Sequence, residues 1–598
     1  MFKYKDYLID AIILVVLALG LTFVSFLFVQ PNIEFGILMR FIKAPVVILL
    51  NFLPIFSVLA ILYCITKRFW TAFLIQTVLV IAMGITNVTK IYYRQEVFKV
   101  IDFTLFGEAT KMLANDFKLH FPRSIFLVAI ILFAIAFGLY RFRNKKLEGK
   151  SRLYVSVIVL VITFASFKIT TNQKLYFNRE YAKAQGFNKW ITVESDKAHG
   201  MVYSFMHSFK ELSTVEPEGY DEKYAKAMFE KYTDEPMPED KKINIIAIMF
   251  ESYNDFSKYN VDFKKYPYES NDYVKEHSIR GSIVVDVFGG GTVHTERTFL
   301  TGNYNQPFYN RPVNSYVWYL KSQGYNTTAM HPHMGGFYNR VTANKNLGYD
   351  EFFYDENYFN NYKSEIYPRP DEDLFKHILK DYNEKKKTGK PYFNMTVTMQ
   401  NHGPYPETPA PYNYIDKKEL DDKTFNSINN YFDGIRQSSD AFKKLLSELK
   451  ADDEPVIVVA FGDHNPYLGE NDCGFKSMGI DVSPDSVDGY LNRYRTPYII
   501  WANDKAKSVT GLDFVGDGPT MSSEYLFTHV FNMLGLKGPR YMQIKNNEFP
   551  DVSIFNKSYM KIVDKMIPTK SEEALQTSIW LNSLDYYYNT NFMYEEFK

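Results

Sequence analysis

Two acids, each at the end of an apolar run, carry the most chemical information in the chain. Phe461-Gly462-Asp463-His464 follows Val456–Ala460, and Glu251 follows Ile243–Phe250. Both runs read as buried parallel strands, and open α/β sheets bind ligands at the carboxyl ends of their strands. Two carboxylates and an imidazole at one sheet edge are oxygen and nitrogen donors suited to Mn²⁺, Mg²⁺ or Zn²⁺. Such a set points to phosphoryl or sulfuryl chemistry. Buried strands that end repeatedly in acids also call for a counter-ion. Taken singly, each acid reads equally well as a helix cap.

A hydroxyl completes the set. Thr292 follows Gly289-Gly290-Gly291 and opens a helix through Thr295-Glu296-Arg297-Thr298-Phe299-Leu300. Glycines let backbone approach a bound group closely, and a helix N-terminus offers free N–H groups and a partial positive charge. A hydroxyl there, touching a divalent metal, can ionise and attack phosphorus. The competing reading is a plain helix cap, the usual task of Thr at such a position. Four further residues lie just beyond other strands: His331 and His333 in His331-Pro332-His333, then Arg340, then His402 in Asn401-His402-Gly403-Pro404. Arg340 has the fork to clamp a phosphate. His402 has the chemistry to give a proton to a leaving alkoxide or take one from an acceptor. Each also reads as a hydrogen-bonded loop residue.

The elements that must position these residues follow from the apolar pattern. Strands are expected at Ile243–Phe250, Ile283–Phe288, Thr327–Met330, Tyr392–Thr398, Val456–Phe461 and Tyr498–Trp501, with helical segments between them. Alternation of that kind implies a largely parallel sheet with helices on both faces. The catalytic domain is placed at 243–560, after a polar linker with short helices at 170–242, and a Tyr-rich helical tail follows at 561–598. Pro236, Pro238 and Asp240 mark the linker's end. Ala182-Lys183-Ala184 has the small-x-small form of a signal-peptidase site, a common triplet.

Residues 1–169 are apolar in blocks. Leu8–Val29, Val46–Ile65, Phe69–Val88, Ser124–Tyr140 and Tyr154–Ile169 are five candidate spans, against the roughly 20 residues a bilayer helix needs. A cleaved signal peptide does not fit, because more spans follow the first. Basic residues at Lys3, Lys5, Lys67, Arg68, Arg141, Arg143, Lys145, Lys146, Lys150 and Arg152 fall on one side of a five-span layout. That side is expected to be cytoplasmic, with everything after Ile169 outside the cell. Within the 90–123 loop, Asp102–Phe106 and Glu108–Phe117 look amphipathic and are expected to lie on the outer leaflet.

Lys+Arg and Asp+Glu are both 68 in 598 residues, so charge argues for neither nucleic acid nor a polyanionic partner. The two cysteines, Cys64 and Cys473, lie in unlike surroundings far apart in sequence. A disulfide between them is not expected.

In combination these motifs resemble the lipoteichoic acid synthase and phosphoglycerol transferase family, in the sulfatase-like branch of the alkaline phosphatase superfamily. They are the strand-terminal Glu251, the Gly-Gly-Thr-x-x-x-Glu of 290–296, the His331 to Tyr338-Asn339-Arg340 segment, Thr398-x-x-Asn401-His402-x-Pro404-Tyr405 and Phe461-Gly462-Asp463-His464. The resemblance implies five spans and an extracellular sulfatase-like α/β domain on a Gram-positive-type cell membrane. It implies that Glu251, Thr292, Asp463 and His464 bind one metal, typically Mn²⁺. Thr292 would be the nucleophile that takes glycerol phosphate from phosphatidylglycerol, with His402 beside it. His331, Arg340 and His402 would hold the substrate. The acceptor would be a glycolipid-anchored polymer of lipoteichoic acid type or a cell-wall glycan. Gly291 stands where polymerising members commonly have Lys, and Val293-His294-Thr295 where they have Ser-Asp-Ala, which is closer to relatives that decorate glycans. Two other classes compete. A formylglycine sulfatase needs Cys or Ser in a Cys/Ser-x-Pro-x-Arg context, which Thr292–Glu296 lacks. A non-enzymatic membrane scaffold would have no need of the intact acid, hydroxyl and imidazole set.

Overall fold

The structure, a computed structural model, describes residues 2–30, 35–94, 97–105, 125–143, 147, 150–176, 185–187, 192–212, 216–305, 309, 311–362, 368–484 and 486–597. Two compact units divide them. One comprises Met1–Thr214 with Gly336–Asn339, the other Val215–Gly335 with Arg340–Lys598.

Among the described residues of the first unit five helices are long and apolar enough to cross a membrane: Leu8–Val29, Pro45–Thr66, Phe69–Ile91, Ile125–Phe142 and Arg152–Thr170. These match the five expected spans, with ends displaced by up to three residues. Pro45–Thr66 packs against the first, third and fifth of them and runs helical through Pro54. Its buried Asn51 holds the short helix Met201–His207 in place. Asn51 Nδ2 donates to His199 O at 2.8 Å, and its Oδ1 accepts from the Tyr203 amide at 2.9 Å. Of the expected amphipathic loop, Val100–Leu105 forms a 3₁₀ helix. Glu108–Phe117 and Ala182-Lys183-Ala184 lie outside the described residues.

The second unit is built on β1 (Asn244–Phe250), β2 (Ile279–Val284), β3 (Asn326–Met330), β4 (Glu351–Phe353), β5 (Tyr392–Val397), β6 (Val456–Gly462), β7 (Arg495–Ala502) and β8 (Gly516–Ser522). They form one sheet in the order β4-β3-β5-β1-β6-β7-β2-β8. All neighbours pair in parallel except β7, which runs antiparallel to both β6 and β2. The three central strands are buried on both faces, and side-chain alternation sorts them. Ile245, Ala247 and Met249 join Ile457, Val459, Phe461, Phe393 and Met395 in one core; Ile246, Ile248 and Phe250 join Val456, Val458 and Ala460 in the other. Helices Thr292–Thr301, Ser523–Met533 and Glu572–Thr590 cover the first face, and Asp371–Lys386 and Asp422–Leu449 the second. This is the expected α/β layering. Ile248→Ala, at the centre of β1 with no exposed surface, is expected to cost about 2–5 kcal/mol through the cavity it leaves, read by chemical denaturation of the full chain.

The structure corrects several expected elements. β2 ends at Val284 rather than Phe288, and β8 and the short β4 were not anticipated. The tail is not helical from its start. β9 (Val552–Phe555), β10 (Tyr559–Ile562) and β11 (Lys565–Pro568) form a separate antiparallel sheet before the helix Glu572–Thr590. Nor are the flanks separable from the core of this sheet. Ala225 and Phe229 of the linker and Ala574, Leu581, Leu584 and Tyr588 of the tail are buried within it, because an amphipathic helix must place its apolar stripe against another element.

Candidate active site

β1 and β6 are neighbours in parallel register, with Phe250 opposite Gly462. Glu251 and Asp463 therefore leave the sheet side by side, and the Asp463 amide donates to Phe250 O at 3.1 Å. Ser252 ties the two acids together. Its amide donates to Asp463 Oδ1 at 2.7 Å and its hydroxyl to Glu251 Oε1 at 2.9 Å. Ser252 reaches both by taking a positive φ of 50°, a conformation that costs a non-glycine residue on the order of 1–3 kcal/mol and clusters at functional sites.

Thr292 has further to travel, since β2 lies beyond β7 from β6. The segment after β2 bends back toward the exit of β6. Phe288 bridges Asn465 in parallel, and the Gly289 amide donates to Asn465 O at 3.0 Å. The chain then turns into the helix with φ of 144° at Gly290 and 94° at Gly291, values that other residues rarely adopt. Gly291 is the N-cap and Thr292 the first helical residue, with no side-chain capping bond. The cap reading of Thr292 is thereby overturned. Its Oγ1 instead donates to Glu251 Oε2 at 3.3 Å, and Thr295 Oγ1 fastens the helix to Asp463 O at 2.7 Å. An alanine Cβ at Gly291 would lie 3.0 Å from Val287 Cγ1. Gly291→Ala is expected to cost about 1–3 kcal/mol from the backbone conformation alone, measured as a lowered unfolding midpoint.

Glu251, Asp463 and His464 form a buried group whose donor atoms lie within 4.8 Å of one another. His464 Nδ1 bonds to Asn465 O at 3.0 Å, which leaves Nε2 facing Asp463 Oδ2 at 3.2 Å and Glu251 Oε1 at 3.6 Å. Asp463 Oδ2 and His464 Nε2 are both buried without a hydrogen-bond partner. Burial and the adjacent Glu251 carboxylate push the Asp463 carboxyl up. Two orphaned donor atoms aimed at one point beside a second carboxylate and a hydroxyl fit a divalent cation, which would satisfy all of them at once.

The other four expected residues lie toward β3 and β5. His331, at the end of β3, is buried and bonds through Nδ1 to Val397 O at 3.0 Å. Nδ1 carries the proton in that bond, so Nε2, which has no hydrogen-bond partner, is left as an acceptor. Burial, with Arg340 second, holds the His331 imidazole well below its usual range and therefore neutral. Burial with Arg340 and His402 brings His333 down to about 4. His402 is exposed. Arg340 is 2% exposed and is held in an ion pair: Nε and Nη2 donate to Glu296 Oε2 at 3.1 and 2.9 Å. Glu296 is one turn along the helix from Thr292, so the pair links the His331 group to the Thr292 helix. Sequence gave no partner for Glu296, nor any sign of Ser252, whose role comes from backbone direction rather than residue type.

Residues 243–536 match the family described as Sulfatase. Among relatives, a Rhizobium meliloti protein named for cyclic beta-1,2-glucan modification is 25% identical over 437 residues, covering 69% of this chain and 65% of the relative. A lipoteichoic acid synthase of Staphylococcus saprophyticus is 30% identical over 179 residues, covering 29% of this chain and 26% of the relative. The chain thus spans less than two thirds of the length of either. Among solved structures, a Streptococcus pyogenes phosphoglycerol transferase in complex with sn-glycerol-1-phosphate aligns with a TM-score of 0.49 and 20% identity, over 62% of this chain and 95% of that one.

Proposed function

We propose, from the premise that residues 243–536 are a sulfatase-family domain on a membrane-anchored chain, that the protein transfers glycerol phosphate from phosphatidylglycerol to a cell-surface acceptor. The observation that carries this reading is the buried Thr292 hydroxyl directed at Glu251 beside the unsatisfied Asp463 and His464 atoms. Thr, unlike the Cys or Ser of a formylglycine sulfatase, cannot supply an aldehyde hydrate, and Pro and Arg are missing from the positions that follow. A hydroxyl nucleophile on phosphorus is the chemistry left. The lipoteichoic acid synthase similarity and the five apolar helices support a lipid donor.

Glu251, Asp463, His464 and the Thr292 oxygen would hold one divalent metal, for which Mn²⁺ is the first choice. Bound there, such an ion supplies Lewis-acid charge that ionises the hydroxyl and polarises the phosphoryl group. Thr292 Oγ1, its proton passed to solvent water and taken back when the P–Oγ1 bond later breaks, attacks phosphorus. The P–Oγ1 bond forms, the bond from phosphorus to the diacylglycerol oxygen breaks, and His402 gives that oxygen its proton. In the second step His402 takes the proton of an acceptor hydroxyl, whose oxygen bonds to phosphorus as the P–Oγ1 bond breaks. His331 Nε2 accepts a hydrogen bond from a glycerol hydroxyl, and Arg340, aimed by Glu296, faces the phosphate. The fifth span is read as leading outward, so that donor and acceptor are met outside the cell.

On the polymer reading, the acceptor is a growing glycerol phosphate chain on a glycolipid. A second reading, single glycerol phosphates placed on a glycan, is favoured by the glucan-modification name of the relative aligned over 69% of the chain and by Gly291 in place of Lys. The test has two parts. Full-length protein in detergent with Mn²⁺ and labelled phosphatidylglycerol is expected to release diacylglycerol; no release, with sulfate-ester hydrolysis instead, sinks the proposal. Mass analysis of surface polymers with and without the protein then decides the acceptor. Loss of a long polymer supports the first reading, and loss of single glycerol phosphates on a glycan the second.

A further inference from the structure

The three glycines before Thr292 cannot fix their own path, because glycine has the widest backbone freedom of any residue. A Cβ at Gly290 would meet open space, so packing does not wall in the middle of the turn on that side. Two anchors set its course. The Gly289 amide donates to Asn465 O at 3.0 Å. Three residues earlier stands Asp286, which neither the motifs nor the proposed chemistry uses.

Asp286 has a φ of 54°, and a non-glycine residue keeps such a conformation only where its surroundings over-determine it. Here two phenols do so. Tyr304 Oη donates to Asp286 Oδ2 at 2.8 Å, and Tyr490 Oη donates to Oδ1 at 3.0 Å. Tyr304 lies three residues past the end of the helix Thr292–Thr301, and its oxygen also accepts from the Lys557 amide at 2.9 Å. Tyr490 is buried in the helix Val487–Tyr494. The last turn of that helix supports the other anchor as well. Asn465 Nδ2 donates to Arg493 O at 2.8 Å, and the Val285 amide donates to Tyr494 O at 2.9 Å. Asn465 follows His464 and bonds to its Nδ1 through the backbone oxygen. One helix thus holds Val285, Asp286 and Asn465, and sets the Thr292 turn and His464 against the same frame.

We propose that Asp286 is a positioning residue: its carboxylate, held by Tyr304 and Tyr490, aims the Thr292 hydroxyl for attack on phosphorus. This rests on the transferase reading given above. Loss of the clamp leaves Glu251, Asp463 and His464 in place, so the effect falls on the rate of attack and not on binding of metal or donor. A misplacement of about 1 Å at a reacting group lowers a rate by about 100-fold.

The experiment measures kcat and KM for diacylglycerol release from phosphatidylglycerol by full-length protein in detergent. Rates are taken per chain that binds Mn²⁺, and metal-free unfolding is followed alongside. Asp286→Ala is expected to lower kcat by about 10–100-fold, with KM and Mn²⁺ affinity near wild type. The double variant Tyr304→Phe with Tyr490→Phe removes the two hydroxyls alone. It is expected to show the same fall, and it decides the matter if Asp286→Ala does not fold. Adding Asp286→Ala to the double variant should lower kcat no further, since all three changes break one clamp. A role in the fold alone would lower the unfolding midpoint and leave kcat per Mn²⁺-binding chain unchanged, so wild-type kcat in the double variant overturns the proposal. So does a loss that lies in KM or in weakened Mn²⁺ binding. Either result leaves the transferase reading standing; a wild-type chain that binds no Mn²⁺ or releases no diacylglycerol defeats both.

Discussion

Thr292→Ala is expected to abolish release of diacylglycerol from phosphatidylglycerol, with a rate loss on the order of 10⁴-fold or more, the scale seen when a covalent nucleophile is removed. The size follows from the arrangement. Thr292 Oγ1 donates to Glu251 Oε2 from the start of its helix, and the three residues before it are glycines. Ser252 is the nearest alternative, but its hydroxyl is committed to Glu251 Oε1 on the far side of the carboxylate. Thr292→Ser restores a hydroxyl and should recover measurable turnover. Mn²⁺ binding should survive in Thr292→Ala, because Glu251, Asp463 and His464 remain. The wild-type chain, quenched after donor but before acceptor is added, should carry one glycerophosphoryl group on the peptide containing Thr292. Undiminished release by Thr292→Ala would mean that another group attacks phosphorus.

The second large effect is on stability. Glu296→Ala removes the carboxylate that takes two hydrogen bonds from a guanidinium that is 2% exposed. Stranding one member of a buried ion pair typically costs about 3–5 kcal/mol, while replacing both by apolar groups of similar volume is often neutral or favourable. Glu296→Ala should therefore unfold at markedly lower denaturant, and the double variant Glu296→Leu with Arg340→Met should regain most of the loss. The double variant is nevertheless expected to remain inactive, because Arg340 is the residue assigned to the phosphate. Recovery of both stability and activity would show that the pair only braces the Thr292 helix. An unchanged denaturation curve for Glu296→Ala would mean that the other contacts of Arg340 offset the lost carboxylate.

Much of this site was legible in sequence, though unevenly. An apolar run of strand length that ends in an acid is a local signal, and Glu251 and Asp463 both carry it. The Gly-Gly-Gly-Thr segment is equally local, since consecutive positive-φ positions exclude other residues. The fate of the Thr292 side chain was not local. A helix cap and a hydroxyl directed at Glu251 use the same residue type at nearly the same position, and only the direction of the side chain separates them. The antiparallel run of β7 was also hidden, because an apolar strand buried on both faces reads the same in either direction. The short strands of 559–568 leave little trace in the sequence, because each spans only four residues.

By itself the sequence determined the classes of element, the five apolar helices and the identity of the donor groups, because burial requirements and side-chain chemistry act over a few neighbouring residues. Tertiary structure decided which of those groups meet. The register of β1 on β6 brings two acids 212 positions apart side by side. The bridge from Phe288 to Asn465 returns Thr292 to them across β7, and Arg340 finds Glu296 from another strand exit. Contacts of that range depend on strand order and crossover path, which no short window of residues encodes.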